Sequence, residues 1–218
     1  MNLHKSVKEL LFGFSVKIMK WPRMKYHEKK SKKCKRKSIT LLCNNCTGGV
    51  ILHDLGLRFN TPTINTDIRN QDEFLLFVEN IDKLRDADVL ELDFEKYHYP
   101  AGYICCKGEK IDIIFTHYKT FEEGKQKWQE RMTRLDEDNV YVIYEGPFVS
   151  YSFIERFSRL PYNKAIISAN NDEVVYPFYH GFRFYDKWKP GKILDYKSWF
   201  NVKRYLDDFD YVSFFNGE

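Results

Sequence analysis

The sequence predicts one α/β domain, a single layered unit with a mixed sheet flanked by helices, preceded by a basic N-terminal helical arm. A chain of 218 residues is long enough for one domain with a full hydrophobic core and short for two. Short apolar runs typical of buried strands alternate with segments of helical period, which is the pattern of a layered α/β fold. Since basic residues crowd the first positions, we expect the arm over residues 1–37 and the domain over residues 38–218.

The arm differs from the body in charge. Residues 1–37 hold thirteen Lys and Arg against two acidic residues, a net charge of +11, whereas the remainder holds 22 basic and 29 acidic residues, a net charge of −7. The first twenty residues place apolar side chains at helical spacing with lysines between them. This pattern favours contact with an anionic membrane surface and is equally compatible with a solvated tail. Few aromatics stand in the arm for base stacking and the body is acidic, so we expect no nucleic-acid partner.

Cysteine usage and hydropathy indicate a cytoplasmic protein, peripheral at the inner face of the membrane if the arm binds lipid. No run of 18 apolar residues exists, and the first residues lack a long apolar core followed by a small-residue cleavage site. The five cysteines are odd in number and include the adjacent pair Cys105 and Cys106, which makes a poor disulfide framework.

The order of elements follows from hydrophobic period and capping signals. Apolar, β-leaning runs predict strands at 39–43, 110–117, 139–144 and 164–168. Helical period predicts helices at 50–56, at 74–81 with Asp72 as the N-cap, at 153–157, and after the capping box that Thr120 and Glu123 form. The last of these should bury Phe121, Trp128, Met132 and Leu135. The residues after Pro177 are aromatic and irregular, and their pattern assigns no order.

A polar turn, residues 44–49, contains the leading candidate for chemistry. Cys46 stands where the first strand hands over to a helix, and the unpaired amides and positive dipole of a helix N-terminus favour a thiolate. Gly48 and Gly49 permit close approach of backbone or substrate. Asn44 and Asn45 flank the cysteine on the other side. The turn therefore predicts a thiol nucleophile with oxyanion donors beside it, against the alternative of a small cysteine buried in a tight turn.

His117 is the leading partner for that thiol. It closes a predicted strand immediately before a capped helix, so its ring could emerge at the edge of the sheet and take the thiol proton. A half-buried structural histidine is the alternative. The basic helix over residues 125–134, near Lys119 and including Arg131, could bind an acidic or phosphorylated substrate, although such residues commonly form a solvated helix face.

Other chemistry has weaker support in the sequence. Cys43 and Cys46 have the spacing of a redox pair, but Cys43 belongs to the predicted strand rather than the turn. The adjacent Cys105 and Cys106 do not supply the second ligand pair of a zinc site, and no nucleotide-binding glycine loop occurs. We expect no metal and no cofactor.

Several segments, taken together, resemble the domain-of-unknown-function 1919 family. They are residues 42–49, 54–63, 99–102, 115–123, 127–131 and 138–142, and they cover roughly residues 38–168. Members of this bacterial family are commonly labelled exopolysaccharide or capsule biosynthesis proteins. The family usually has a bulky residue after the cysteine, where this chain has Thr47.

The layout is also similar to a papain-like cysteine peptidase family of unknown function, which implies a papain-like arrangement. By that similarity, Cys46 would be the nucleophile and His117 the base, while Asn44 or Asn45 would supply oxyanion donors. Fold analogy alone does not establish an activity.

These resemblances imply a thiol-dependent acyl- or group-transfer enzyme, or a hydrolase, that acts on a polysaccharide or lipid-linked glycan at the inner membrane face. Two alternatives stay open. One is a glycosyltransferase of the same pathway, which the lack of an acidic metal-binding pair after an apolar strand disfavours. The other is a non-catalytic glycan-binding or scaffold protein, which the high Tyr and Phe content suggests.

Overall fold

A computed structural model describes residues 3–168, 176–181 and 189–218 of the chain. The described strands are β1 (Thr40–Cys43), β2 (Leu90–Glu91), β3 (Ala101–Cys106), β4 (Glu109–Ile114), β5 (Val140–Gly146), β6 (Asn163–Ser168) and β7 (Tyr179–Gly181). The described α-helices are α1 (Leu3–Lys33), α2 (Thr47–Leu55), α3 (Gln71–Glu79), α4 (Phe121–Met132), α5 (Tyr151–Ser158) and α6 (Tyr211–Asn216). The α/β class and the N-terminal helix are thus confirmed.

The central sheet is parallel, with the order β1-β5-β6-β7. Its strands are apolar on both faces because helices cover both of them. On one face Leu42, Val142 and Ile166 join a core that includes residues of α3, α4 and α5. On the other face Leu41 and Ile143 join a second core that includes residues of α2 and α6.

The strands β2, β3 and β4 form a separate antiparallel sheet rather than part of one mixed sheet. An isolated antiparallel bridge joins Asp67 to Ile114 at the end of β4. The next residue, Ile68, donates its amide to the carbonyl of Asn44, just beyond β1. The segment around Asp67 therefore links the two sheets at the point where β1 ends.

The arm predicted over residues 1–37 contains a 31-residue helix whose C-terminal half packs on the body. Arg23 donates to the carbonyls of Trp199 and Asn201, and Ser31 donates to the carbonyl of Leu55 at 2.6 Å. Lys30 lies 2.6 Å from Asp207, and Cys34 is buried in the second core. The second half of the predicted arm is thus packed against the body. Residues 1 and 2 lie outside the described residues.

Local signals account for most helix starts. The Thr120 hydroxyl accepts the amide of Glu123 at the start of α4, as predicted, and Phe121, Trp128 and Met132 are buried. The predicted N-cap of α3 was wrong: Asn70, not Asp72, caps it, because the Asn70 side chain accepts the amides of Asp72 and Glu73. Residues 182–188, in the irregular stretch after Pro177, lie outside the described residues. In the part of the chain that the structure describes, no helix is both long and apolar enough to cross a membrane.

Candidate functional site

The turn around Cys46 lies at the carboxyl end of the parallel sheet. Cys46 is the residue directly before α2, as the sequence predicted, with helical backbone angles (φ −65°, ψ −11°). The parallel strand β5 ends beside it, and the link between the two sheets passes the same point. In open α/β sheets, ligands bind outside the carboxyl ends of the strands. This position makes the turn the first candidate for a functional site.

The Cys46 thiol is partly buried and lies 3.6 Å from the Thr116 hydroxyl, with which it shares a hydrogen bond. Burial raises the pKa of the thiol, the hydrogen bond with Thr116 lowers it, and the carboxylate of Asp67 raises it. Burial has the largest effect, so the resting group is a neutral thiol rather than the thiolate that its helix N-terminus favours. A nucleophilic role for Cys46 therefore requires a base during the reaction.

His117 lies in the loop after β4, not at the end of that strand. The strand stops at Ile114, and the side chain of His117 is exposed. Its neighbour Thr116 contacts the Cys46 sulfur. The predicted pairing of His117 with the thiol stays a prediction. Among the described residues, the imidazole makes no hydrogen bond or ion pair.

The two asparagines of the turn bind Glu145 near the end of β5. The Asn44 side chain donates to the carbonyl of Glu145 at 3.0 Å and accepts its amide at 2.8 Å. The Asn45 amide donates to a carboxylate oxygen of Glu145 at 2.5 Å, and its oxygen accepts the amide of Thr47. Both side chains therefore hold the turn against β5. Their predicted contact with substrate stays a prediction.

The two glycines differ in their surroundings. A Cβ on Gly48 would lie 2.6 Å from the Cβ of Cys43, so α2 approaches β1 too closely for any side chain there. A Cβ on Gly49 would meet only Ile64, at an ordinary 3.6 Å. The Gly49 amide has no hydrogen-bond acceptor in the part of the chain that the structure describes. Gly48 is therefore a packing requirement, and the Gly49 amide is a donor that a ligand could use.

The two predicted cationic residues differ in whether the protein itself already binds their charged groups. Arg131 donates to the carbonyl of Ile64 at 3.0 Å and to the Tyr118 hydroxyl at 2.6 Å, which ties α4 to the loops around the site. Lys119 has an exposed side chain that makes no ion pair with the described residues. Of the two, Lys119 is the one whose charge is available to a ligand.

Three residues of this neighbourhood were not predicted: Thr116, Asp67 and Glu145. Burial raises the pKa of the Asp67 carboxyl, and its hydrogen bond from Arg69, at 2.9 Å, opposes that rise. Glu145 is 5% exposed, close to the end of an apolar strand. A charged residue at the carboxyl end of a buried parallel strand is a signal that could have identified Glu145. No local pattern marks Thr116 or Asp67.

Cys43 is buried in a strand and is not placed as the reactive member of a redox pair. Its side chain is 1% exposed inside β1, and burial raises the pKa of its thiol to about 12, against hydrogen bonds from the backbone of Asn45 and Gly48. The described residues include no group of three or more His, Cys, Asp or Glu side chains placed to hold a metal ion.

Comparison with known proteins gives the family of the chain. The model of DUF1919, a domain of unknown function, matches residues 17–216. A Haemophilus influenzae (strain Rd) protein, described as an uncharacterized protein, is 31% identical over 187 residues, which are 85% of this chain and 87% of the relative. The chain belongs to the DUF1919 family.

Proposed function

We propose that the chain is a thiol-dependent group-transfer enzyme of bacterial exopolysaccharide or capsule biosynthesis, with Cys46 as the nucleophile and a glycan as the acceptor. One observation carries this proposal. Cys46 is a partly exposed residue directly before α2, at the carboxyl end of the parallel sheet and beside the loop that contains His117. A nucleophile at a strand-to-helix turn is exposed to substrate while its backbone is held by the sheet.

The reaction proceeds in two steps. The Cys46 sulfur attacks the acyl carbon of an ester or thioester donor, so that the S–C bond forms and the bond to the donor's leaving group breaks. The proton lost by the thiol goes to the leaving group. A glycan hydroxyl then attacks the thioester, the O–C bond forms, the S–C bond breaks, and the hydroxyl proton returns to the thiol. Water in place of the glycan hydroxyl makes the same chemistry a hydrolysis.

His117 is the proposed carrier of that proton. Because burial and Asp67 raise the pKa of the Cys46 thiol, the resting site holds no stable thiolate, and general-base catalysis fits it better than a preformed ion pair. The exposed imidazole stands in the loop next to Thr116, whose hydroxyl contacts the Cys46 sulfur, and the proposed proton transfer requires the imidazole to reach the sulfur in the substrate complex.

Two further groups have proposed roles toward the substrate. The Gly49 amide, which lacks an acceptor among the described residues, is the proposed oxyanion donor in place of Asn44 and Asn45. The ammonium of Lys119 suits an anionic part of the substrate, such as the diphosphate of a lipid-linked glycan.

A second candidate function is a non-catalytic glycan-binding module. The raised pKa of Cys46 favours it, because a neutral, partly buried thiol is also what an unreactive cysteine shows. The two functions differ in whether removal of the sulfur abolishes the product.

The test is complementation of a strain of the host bacterium that lacks the gene, followed by NMR analysis of its surface polysaccharide. Cys46→Ala and Cys46→Ser should each abolish the modification that the wild-type gene restores. Cys105→Ala is the matched control, since Cys105 is exposed on β3, away from the turn, and should restore it fully. Full restoration by Cys46→Ala would exclude the nucleophile and leave the binding module.

A further inference from the structure

One face of α1 carries large apolar side chains that are exposed. Leu11, Phe14, Ile18 and Trp21 follow each other at spacings of three and four residues, so they form one stripe. Their exposed fractions run from 48% for Ile18 to 63% for Trp21. Exposed apolar stripes of this size mark interaction surfaces.

The opposite face of the same helix is fixed to the body. Ser15 and Met19 are buried, and the Arg23 guanidinium stacks 3.5 Å from the Tyr196 ring centroid while donating to the carbonyls of Trp199 and Asn201. Further along, Lys30 contacts Asp207. The exposed stripe is therefore a rigid surface of the folded protein and not a flexible tether.

The charge around the stripe identifies its partner. The exposed residues Lys17, Lys25 and Lys29 lie on or beside the stripe, and the only acidic residue between positions 10 and 37 is Glu28, which pairs with Lys25. A second copy of α1 would bring these cations together with few counter-charges, whereas anionic headgroups neutralise them. We propose that this stripe, Leu11–Trp21 on the outer face of α1, docks the protein on an anionic phospholipid surface with the helix axis in the plane of the interface.

A contact nearer the start of α1 also fixes the helix to the body. Phe12, which at 100° per residue lies away from the stripe, contacts Trp199 with 6.0 Å between ring centroids. Because α1 is fixed to the body, docking through this surface sets the orientation of the whole domain on the lipid. The proposal does not depend on the chemistry at Cys46.

Co-sedimentation of the full chain with vesicles tests the proposal. Wild type should bind vesicles of phosphatidylglycerol and phosphatidylcholine and bind far less to pure phosphatidylcholine. Ile18→Asp should weaken binding at least about tenfold, since it removes an inserted apolar group and adds a repelled charge. Leu90→Asp is the matched control: Leu90 is 45% exposed, like Ile18 at 48%, but lies on β2, and its substitution should leave binding unchanged.

Both variants should unfold at the wild-type denaturant concentration, because neither side chain is in the core. A second variant, Trp21→Ser, should also weaken binding without altering charge. The proposal is overturned if wild type does not bind the anionic vesicles or if Ile18→Asp binds as wild type does. It is also overturned if the stripe instead joins two chains, shown by a dimer in vesicle-free buffer that Ile18→Asp dissociates.

Discussion

The Thr116 hydroxyl lies 3.6 Å from the Cys46 sulfur, although 70 residues separate them in the chain. Thr116 also donates to the carbonyl of Asn65 at 3.3 Å. The contact therefore fixes the loop after β4 against the turn after β1. His117 directly follows Thr116 in this loop. Every prediction about reactivity at this site depends on that arrangement.

Two substitutions should change the reactivity of Cys46 in opposite directions. Thr116→Val removes the hydrogen bond that lowers the thiol pKa, so alkylation by iodoacetamide near neutral pH should slow. Asp67→Asn removes a negative charge that raises the pKa, so alkylation should become faster. The rates can be read peptide by peptide by mass spectrometry, with the exposed Cys105 as an internal reference. Equal rates in both variants would contradict this account of the thiol.

The glycines of the turn should respond unequally to alanine. Gly48→Ala forces a Cβ to within 2.6 Å of the Cys43 Cβ, and we expect a loss of about 1–3 kcal/mol in the free energy of unfolding. Gly49→Ala has room, and an alanine within a helix should stabilise by up to about 1 kcal/mol. Urea denaturation of the two variants measures both effects. A Gly49→Ala protein less stable than Gly48→Ala would show that the packing of α2 on β1 is misassigned.

Asn44 should prove structural, whatever the substrate. Asn44→Ala removes the acceptor of the Glu145 amide and one of the two side-chain donors to its carbonyl, which should cost roughly 1–3 kcal/mol in the free energy of unfolding. Asn45→Ala removes contacts at a more exposed position and should cost about 1 kcal/mol. Chemical denaturation distinguishes the two. If Asn44→Ala retained wild-type stability, a direct role in binding would become the better explanation for this residue.

His27 should make the fold sensitive to acid. Its Nδ1 lies 3.3 Å from Asp54, which also pairs with Arg204, yet neither ring nitrogen makes a hydrogen bond among the described residues. Burial lowers the His27 pKa below its ordinary 6.5, an effect that exceeds the opposing attraction of Asp54.

The folded state thus binds fewer protons than the unfolded state at this position. Stability that is complete above about pH 6.5 should be lost progressively as the pH falls below that value towards the lowered pKa of the folded state. His27→Gln should flatten this dependence, measured as unfolding free energies at about pH 7.5 and about pH 5.5. An identical pH dependence in wild type and variant would exclude His27 as the cause.

The sequence predicted elements with a strong local signal. Thr120 marked the start of α4, and the polar turn after an apolar strand marked the start of α2 at Cys46. It did not predict contacts that depend on long-range folding. Thr116 and Asp67 carry no local mark, and the bridge from Asp67 to Ile114 together with the hydrogen bond from Ile68 to Asn44 brings them to the turn.

The sequence of the arm likewise did not reveal its long-range contacts. Runs of lysine and arginine usually form solvated tails, and the arm has such a run. Arg23 and Lys30 nevertheless find partners between residues 196 and 211, in a C-terminal segment whose aromatic, irregular pattern gave no order. Only the folded chain separates the lysines that hold α1 on the body from those that face outward.

The most direct test of the nucleophile is capture of the covalent intermediate. Purified protein is incubated with membranes from the host strain that lacks the gene, quenched in acid, and digested for peptide mass spectrometry. We expect a hydroxylamine-labile acyl group on the peptide containing Cys46, and neither this adduct nor modified polysaccharide with Cys46→Ala. Modification of the polysaccharide by Cys46→Ala protein at the wild-type rate would exclude Cys46 as the nucleophile.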